Sequence, residues 1–113
     1  MRKVLAALMF LALAGCARPT HDEATLRKIS AESMALLRTT AAGEIPRAKW
    51  PATIKSLEPE QVMANRGGLY VVMSMHFDAE SGYFVPRDGN APVSSPGFIY
   101  SALGPGVYWY DAN

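Results

Sequence analysis

The sequence predicts one domain of the α+β class, in which an N-terminal amphipathic helix and a short helix pack on a small antiparallel sheet. Apolar residues recur at helical spacing between residues 22 and 42, whereas from residue 61 onward they alternate with a period of two. Helices that precede strands, rather than alternating with them, are typical of this class. The chain of 113 residues has room for one modest hydrophobic core, which we expect within residues 22–113.

The first helix is expected to end near Ala42, because Gly43 and then Pro46 follow. Its start has the spacing of a capping box, in which Thr20 and Glu23 satisfy each other's backbone N–H groups. One helical face collects Leu26, Ile29, Ser33, Leu36, Leu37 and Thr40, and the opposite face carries Arg27, Lys28, Glu32 and Arg38. We expect the first face to pack on the sheet; the alternative is a free face that binds a partner or a surface.

A second, short helix is predicted over residues 50–57. Pro51 stands at its first position, where the missing N–H costs no hydrogen bond. Ile54 and Leu57 are expected to face inward, with Trp50 folded over them. The Glu58-Pro59-Glu60 segment should stop this helix.

Alternation then predicts strands at 61–66 and 69–77, joined by a turn at Gly67 and Gly68, because both glycines tolerate a positive φ. One face of the second strand is apolar and comprises Leu69, Val71, Met73, Met75 and Phe77. The other face is mixed and comprises Tyr70, Val72, Ser74 and His76. Further strands are predicted at 83–85 and 107–110, with a strand or an irregular segment at 98–103 after a loop at 88–97. We expect these strands to form an antiparallel meander.

Catalysis, metal binding and nucleic-acid binding have weak support. Ser74, His76 and Asp78 are the residue types of a hydrolytic triad. Alternate residues of a strand lie ~6.6–6.8 Å apart, however, whereas a nucleophile and its base must lie within ~2.6–3.2 Å of each other. Two histidines and one cysteine are too few for a typical zinc site, so we expect no metal and no cofactor. Eleven Lys and Arg against ten Asp and Glu form no basic stripe, so no nucleic-acid partner is expected.

Aromatic residues on the predicted strands are the remaining functional signal. In the last strand, alternation sends Val107 and Trp109 to one face and Tyr108 and Tyr110 to the other. Tyrosine offers a large contact area at low entropic cost, as protein and glycan contact surfaces require. The candidate binding surface therefore comprises Tyr70, Tyr83, Tyr108 and Tyr110. The alternative is that these residues are simply good strand formers.

The N-terminus has the features of a secretory signal. Met1-Arg2-Lys3 is positively charged, and the residues from Val4 to Ala14 are all apolar. This run falls within the ~7–15 residues of a signal core and is shorter than the ~20 that span a bilayer. A core helix fits badly, because the run is apolar on every side and has no polar stripe. We therefore expect residues 1–15 to be removed.

Leu13-Ala14-Gly15-Cys16 resembles the lipobox of bacterial lipoproteins, in which a small residue precedes an obligatory cysteine. The resemblance covers residues 1–16 and does not extend to the rest of the chain. It implies a diacylglyceryl thioether on Cys16, cleavage after Gly15, acylation by a fatty acid such as palmitate, and a short tether at residues 16–21. Two or more acyl chains hold a protein firmly to a membrane. Cys16 is the only cysteine in the sequence, and lipidation would account for this lone thiol in an exported protein.

The residue after the cysteine bears on the compartment. In enteric-type lipoproteins an aspartate there retains the protein at the inner membrane, whereas this chain has Ala17. The resemblance therefore implies the inner leaflet of the outer membrane, with the domain facing the periplasm. We expect a lipid-anchored, non-enzymatic binding or structural module with an envelope protein as its candidate partner. The alternatives are an accessory lipoprotein of a secretion or assembly complex, and a small envelope enzyme or enzyme inhibitor.

Overall fold

The computed structural model describes residues 18–113, which form two helices and a six-stranded sheet. In chain order the elements are α1 (Glu23–Thr39), β1 (Gly43–Glu44), a 3₁₀ turn (Arg47–Lys49), α2 (Ala52–Ser56), β2 (Gln61–Ala64), β3 (Gly68–His76), β4 (Ala79–Pro86), β5 (Phe98–Gly104) and β6 (Val107–Ala112). Every strand pair is antiparallel. The predicted α+β class is confirmed.

Helix α1 begins after Asp22, whose carboxylate accepts hydrogen bonds from the hydroxyl and the backbone N–H of Thr25, at 2.6 and 2.9 Å. The predicted capping box is wrong, because the Thr20 hydroxyl accepts instead from the N–H of Asp22, at 3.2 Å. Hydrogen bonds from the Thr25 hydroxyl and backbone favour the ionised form and lower the pKa of Asp22.

The C-terminal end of α1 lies at Thr39, three residues before the expected end at Ala42. Thr40 adopts an extended conformation, and both its N–H and its hydroxyl donate to the carbonyl oxygen of Leu36, at 2.9 and 2.6 Å. These bonds satisfy a carbonyl that a helix end leaves without an intrahelical partner. The chain is therefore free to enter the short strand β1, which the sequence did not predict.

One face of α1 is buried, as its periodicity predicts, and comprises Leu26, Ile29, Ser33, Leu36 and Leu37. This face packs on a buried sheet face that comprises Val62, Ala64, Leu69, Val71, Tyr83, Val85, Val107 and Trp109. Each fully buried aliphatic or aromatic side chain contributes ~1.5–3 kcal/mol relative to an exposed one. The expectation that the apolar helix face packs on the sheet is confirmed, and this interface is the core of the domain.

The opposite side of α1 carries one residue, Glu32, whose structural role the sequence did not predict. The carboxylate of Glu32 accepts the backbone N–H groups of Thr53 and Ile54, at 3.0 and 2.9 Å. Helix α2 has Pro51 before its first residue and no capping side chain of its own. Glu32 therefore satisfies the free donors at the start of α2 and joins the two helices.

The strands lie in the order β1-β2-β3-β4-β6-β5. The predicted meander holds from β2 to β4 but is wrong beyond it, because β6 pairs with β4 and β5 lies outside β6 at the sheet edge. Residues 87–97 carry the chain from the end of β4 past the strand position that β6 later fills. A loop of this length can reach a strand that is not the neighbour of β4, whereas the two-residue turn of a hairpin joins adjacent strands.

Arg66 and Gly67, rather than Gly67 and Gly68, reverse the chain between β2 and β3. The N–H of Asn65 donates to the carbonyl of Gly68, at 2.9 Å, and its side-chain oxygen accepts from both glycine N–H groups. Gly68 is already the first residue of β3. A Cβ there would lie 2.2 Å from the carbonyl oxygen of Val85, so the close approach of β4 requires glycine.

A β-bulge interrupts the alternation of β3. Val72 pairs with Gly82 and Ser74 pairs with Ser81, so Met73 has no partner of its own. Beyond such a bulge, the residues that face the helix layer change parity. The predicted apolar face is therefore correct for Leu69, Val71 and Met73 and wrong for its last two members. Met75 is 46% exposed and Phe77, in the β3–β4 turn, is fully exposed.

Strand β4 is longer than the predicted strand 83–85. A tight turn at Phe77 and Asp78 replaces the broader predicted turn, so β4 extends from Ala79. It is a central strand between β3 and β6, and Pro86 is its last residue, where a missing N–H interrupts no further pairing.

Candidate functional site

The sheet face opposite α1 is lined by aromatic side chains, and we call it the aromatic face. Directly paired residues of neighbouring strands share a face, so the register assigns its members. Six aromatic residues lie on it: Tyr70, Phe84, Phe98, Tyr100, Tyr108 and Tyr110. No helix of the described residues covers this face, because α1 packs on the other one.

Five of these rings, all except that of Tyr108, form a continuous cluster around Tyr70. Its ring centroid lies 4.5 Å from that of Phe84, 5.0 Å from that of Tyr110 and 6.3 Å from that of Phe98. Tyr100 extends the cluster to Phe84 and Phe98, at 5.2 and 5.1 Å. Edge-on and tilted pairs at these distances each contribute ~0.5–1.5 kcal/mol beyond their burial. The rings of this cluster therefore hold one another in position.

The aromatic face is concave. Tyr70 on β3 and Tyr100 on β5 are separated by β4 and β6, which corresponds to ~14 Å in a flat sheet. Their hydroxyl oxygens are nevertheless 2.8 Å apart and share a hydrogen bond. Strands of a twisted sheet rotate relative to one another, which brings side chains of distant strands together on one side.

A second polar contact lies next to this pair. The hydroxyl of Tyr110 donates to a carboxylate oxygen of Glu80, at 2.6 Å. Tyr110 is completely buried, and its burial and the carboxylate together raise its pKa above the ordinary value of 10.0. Burial also raises the pKa of Tyr70, with further contributions from Tyr100 and Glu80. The phenols of Tyr70 and Tyr110 therefore stay neutral and act as hydrogen-bond donors or acceptors.

Two cavities open on the aromatic face, one on each side of Tyr70. The first has a volume of about 270 Å³ and is lined by Gln61, Met63, Asn65, Tyr70, Val72, Glu80 and Phe98. The second, of about 320 Å³, lies under the loop after β4 and is lined mainly by Tyr70, Phe84, Tyr100, Asp88, Asn90, Pro92 and Val93. Apolar walls with a few convergent polar groups are typical of binding sites.

The charges around the cavities are negative. The positively charged residues of the described part of the chain all lie outside the strands: Arg18, Arg27, Lys28, Arg38, Arg47, Lys49, Lys55, Arg66 and Arg87. Glu44 and Glu80 lie on the aromatic face by register, and Asp88 lines the second cavity.

The guanidinium of Arg87 donates to the carbonyl oxygens of Leu37, Asn65 and Arg66, at 3.1, 2.8 and 3.3 Å, and so ties α1 to the β2–β3 turn.

The candidate tyrosines chosen from the sequence divide between the two sheet faces. Tyr70, Tyr108 and Tyr110 lie on the aromatic face, although Tyr110 is buried beneath its neighbours. The placement of Tyr83 on this surface is wrong. Tyr83 faces the helix layer, is 2% exposed and contacts Trp109, with ring centroids 5.1 Å apart. Burial raises the pKa of Tyr83.

Sequence reasoning missed Phe84, Phe98, Tyr100 and Glu80 as members of this site. Phe84 and Tyr83 are adjacent, so alternation alone assigns them to opposite faces but does not say which face is covered. Phe98 and Tyr100 have the period of two that would have identified a strand face, had 98–103 been assigned as a strand. Glu80 falls between the predicted strands 69–77 and 83–85, in a segment that the sequence predicts to be a turn.

Ser74, His76 and Asp78 do not form a triad, and no hydrogen bond joins them in the structure of residues 18–113. Ser74 pairs with Ser81, His76 pairs with Ala79, and Asp78 lies in the turn. Within the same residues, no group of three or more His, Cys, Asp or Glu side chains is arranged to hold a metal ion.

The lipobox residues Leu13, Ala14, Gly15 and Cys16 lie outside the described residues. Among residues 18–113, neither helix has the length and hydrophobicity required to span a bilayer. Comparison of the chain with protein-family models, curated proteins and solved structures finds no match.

Proposed function

We propose that this protein is a lipid-anchored envelope protein whose domain is a non-enzymatic binding module. Its binding role rests on one observation, the concave aromatic face on which Tyr70 separates two cavities. Sites of this kind are concave, mostly apolar and largely preformed. The anchor would be Cys16 in the inner leaflet of the outer membrane, and the lipobox resemblance and Ala17 support this part of the proposal.

A contact near the start of the described chain bears on how the domain would lie at the membrane. The backbone N–H of Thr20 donates to the hydroxyl of Tyr83, at 2.8 Å. Thr20 is thus attached to the domain, although the sequence suggested a free tether up to residue 21. Four residues from Cys16 to Thr20 span at most ~14 Å. A lipid on Cys16 would hold the domain directly against the headgroups.

The polar groups around the first cavity favour binding over catalysis. They are the amides of Gln61 and Asn65, the phenol of Tyr70 and the carboxylate of Glu80. General acid–base catalysis requires side chains that donate or accept protons near the operating pH. Amides do not titrate, and the phenol has a pKa above 10.0. Glu80 is the one carboxylate among the residues that line this cavity, and it accepts the Tyr110 hydroxyl.

The binding role can be tested by site-specific photocrosslinking of the full chain in its native host. Benzoylphenylalanine in place of Tyr100 keeps an aromatic ring in the wall of the second cavity, beside Tyr70, which borders both cavities. The matched control carries the same group in place of Ala35, which is exposed on α1 at the opposite side of the domain. We expect a discrete adduct from position 100 that is absent from position 35 and is lost when Tyr70→Leu is added. Equal adducts at both positions, or none at position 100, would reject the aromatic face as the binding surface.

A further inference from the structure

We propose that the first cavity, between Tyr70, Phe98 and Glu80, binds a single basic side chain, arginine or lysine, of a protein partner. This inference rests on the proposed binding role of the aromatic face and adds the chemistry of what the face recognises. It is carried by the charge of the cavity, by the rings that line it and by its size.

The charge of the cavity is that of an uncompensated carboxylate. One oxygen of Glu80 accepts the Tyr110 hydroxyl, and the ion pair that residues 18–113 contain joins Arg27 and Glu23 on α1, on the other side of the sheet. A carboxylate that is partly removed from water is stabilised by an opposite charge or by hydrogen bonds. The other lining residues are uncharged, so a cation would meet attraction without local repulsion.

The rings beside Glu80 suit a cation as well. Tyr70 and Phe98 both line the cavity, and their planes are nearly perpendicular, at 87°, with centroids 6.3 Å apart. A guanidinium or ammonium group within ~6 Å of a ring face is attracted by the negative charge above that face. Because both rings and the Glu80 carboxylate line the same cavity, a positively charged group placed there would lie beside all three.

The size of the cavity and its amides limit the ligand. At about 270 Å³ the cavity falls just below the ~300–1,000 Å³ of sites for drug-sized molecules, which favours one side chain over a larger ligand. The side-chain oxygen of Gln61 adds one acceptor, whereas that of Asn65 already accepts the N–H groups of Gly67 and Gly68. A guanidinium group has five N–H donors and an ammonium group has three, and neither can accept a hydrogen bond.

Within one copy, no described basic side chain lines this cavity. The basic residues lie on the helices, in the turns or at the start of the chain, and Arg87, directly after β4, is engaged by three carbonyl oxygens. We therefore expect the complementary charge to come from another molecule.

The test compares two probes that differ in charge but hardly in shape, n-butylguanidinium and its neutral analogue n-butylurea. Each is titrated into the full chain in an uncharged polyoxyethylene detergent, and nuclear magnetic resonance follows the backbone amides of Glu80 and Phe98. We expect n-butylguanidinium to bind at least tenfold more tightly than n-butylurea, and to shift these two amides more than those of α1. Equal affinity for both probes, no binding of either, or shifts confined to α1 would overturn the inference.

Substitutions identify the side chains that are responsible for the preference for the cation. Glu80→Gln removes the charge but keeps an oxygen for the Tyr110 hydroxyl, so we expect it to abolish the preference for the cation while the near-ultraviolet circular dichroism stays unchanged. Phe98→Leu keeps an apolar wall without a ring and should weaken guanidinium binding several-fold. The matched control Glu23→Gln removes a carboxylate on α1 and should leave both affinities unchanged. If Glu80→Gln retains the preference while position 100 still forms its adduct, the cationic ligand is rejected and the binding role stands.

Discussion

The carboxylate of Glu32 on α1 accepts the backbone N–H of Ile54 on α2, at 2.9 Å, and its second oxygen accepts the N–H of Thr53, at 3.0 Å. One side chain thus caps a five-residue helix that has no cap of its own. Isolated helices of this length are not stable in water, because nucleation costs more than a single turn returns. The short helix therefore depends on this contact and on the burial of Ile54 in the core.

We predict that Glu32→Ala lowers the free energy of unfolding by ~0.5–2 kcal/mol, the range found when a capping side chain is lost. Glu32→Gln should cost less, because its single carbonyl oxygen still accepts one of the two N–H groups. Urea denaturation measures both changes. The control Glu23→Ala removes an exposed partner of Arg27 and should stay within ~0.5 kcal/mol of the unsubstituted protein. An equally small effect at Glu32 would show that α2 needs no cap.

The β-bulge at Met73 leads to a second prediction. Leu69 is completely buried in the core, so Leu69→Ala should lower the free energy of unfolding by ~2–5 kcal/mol. Phe77 lies beyond the bulge and is fully exposed, so Phe77→Ala should change it by less than ~0.5 kcal/mol. If β3 alternated without a bulge, Phe77 would face the core like Leu69, and both substitutions would strongly lower the free energy of unfolding. Thermal unfolding of residues 18–113, which contain the entire core cluster, distinguishes the two cases.

The buried phenols predict a loss of stability at alkaline pH. Burial raises the pKa of Tyr70, Tyr83 and Tyr110 above the ordinary 10.0. Below pH 10.0 these tyrosines are protonated in the folded and the unfolded state, so their full contribution to stability is present. Above it the unfolded state releases protons that the folded state keeps, so the free energy of unfolding falls as pH rises. At about pH 11, where free tyrosine is mostly ionised, the folded protein should show much less phenolate absorbance than the urea-unfolded chain. Equal absorbance of the two would contradict the burial of these hydroxyls.

The proposed anchor makes a prediction about processing. The thioether on Cys16 must form before a lipoprotein-type peptidase cleaves after Gly15, as the lipobox resemblance implies. Cys16→Ser should therefore leave the precursor uncleaved and unlabelled by radioactive palmitate. Ala17→Ser, next to the modified residue, serves as the control and should be processed normally. Normal cleavage and labelling of the Cys16 variant would reject the lipoprotein assignment.

About half of the candidate site could be predicted from the sequence. Tyr70 and Tyr108 were assigned to a binding surface from alternation and residue type, and both lie on the aromatic face. Tyr83 was assigned to the wrong face because alternation separates neighbours without saying which face a helix covers. Glu80 was not recognised, because its role depends on the Tyr110 hydroxyl, 30 residues away in the sequence.

The sequence by itself determined the α+β class, the buried face of α1 and the alternation of β2, β3 and β6. These features depend on periods of 3.6 and 2 residues, which each segment carries locally. The tertiary structure alone decided the bulge at Met73, the position of β6 between β4 and β5, the cap from Glu32 and the contact between Tyr70 and Tyr100. Each of these depends on which distant residues pair, and that choice depends on packing across the whole sheet rather than on any local pattern.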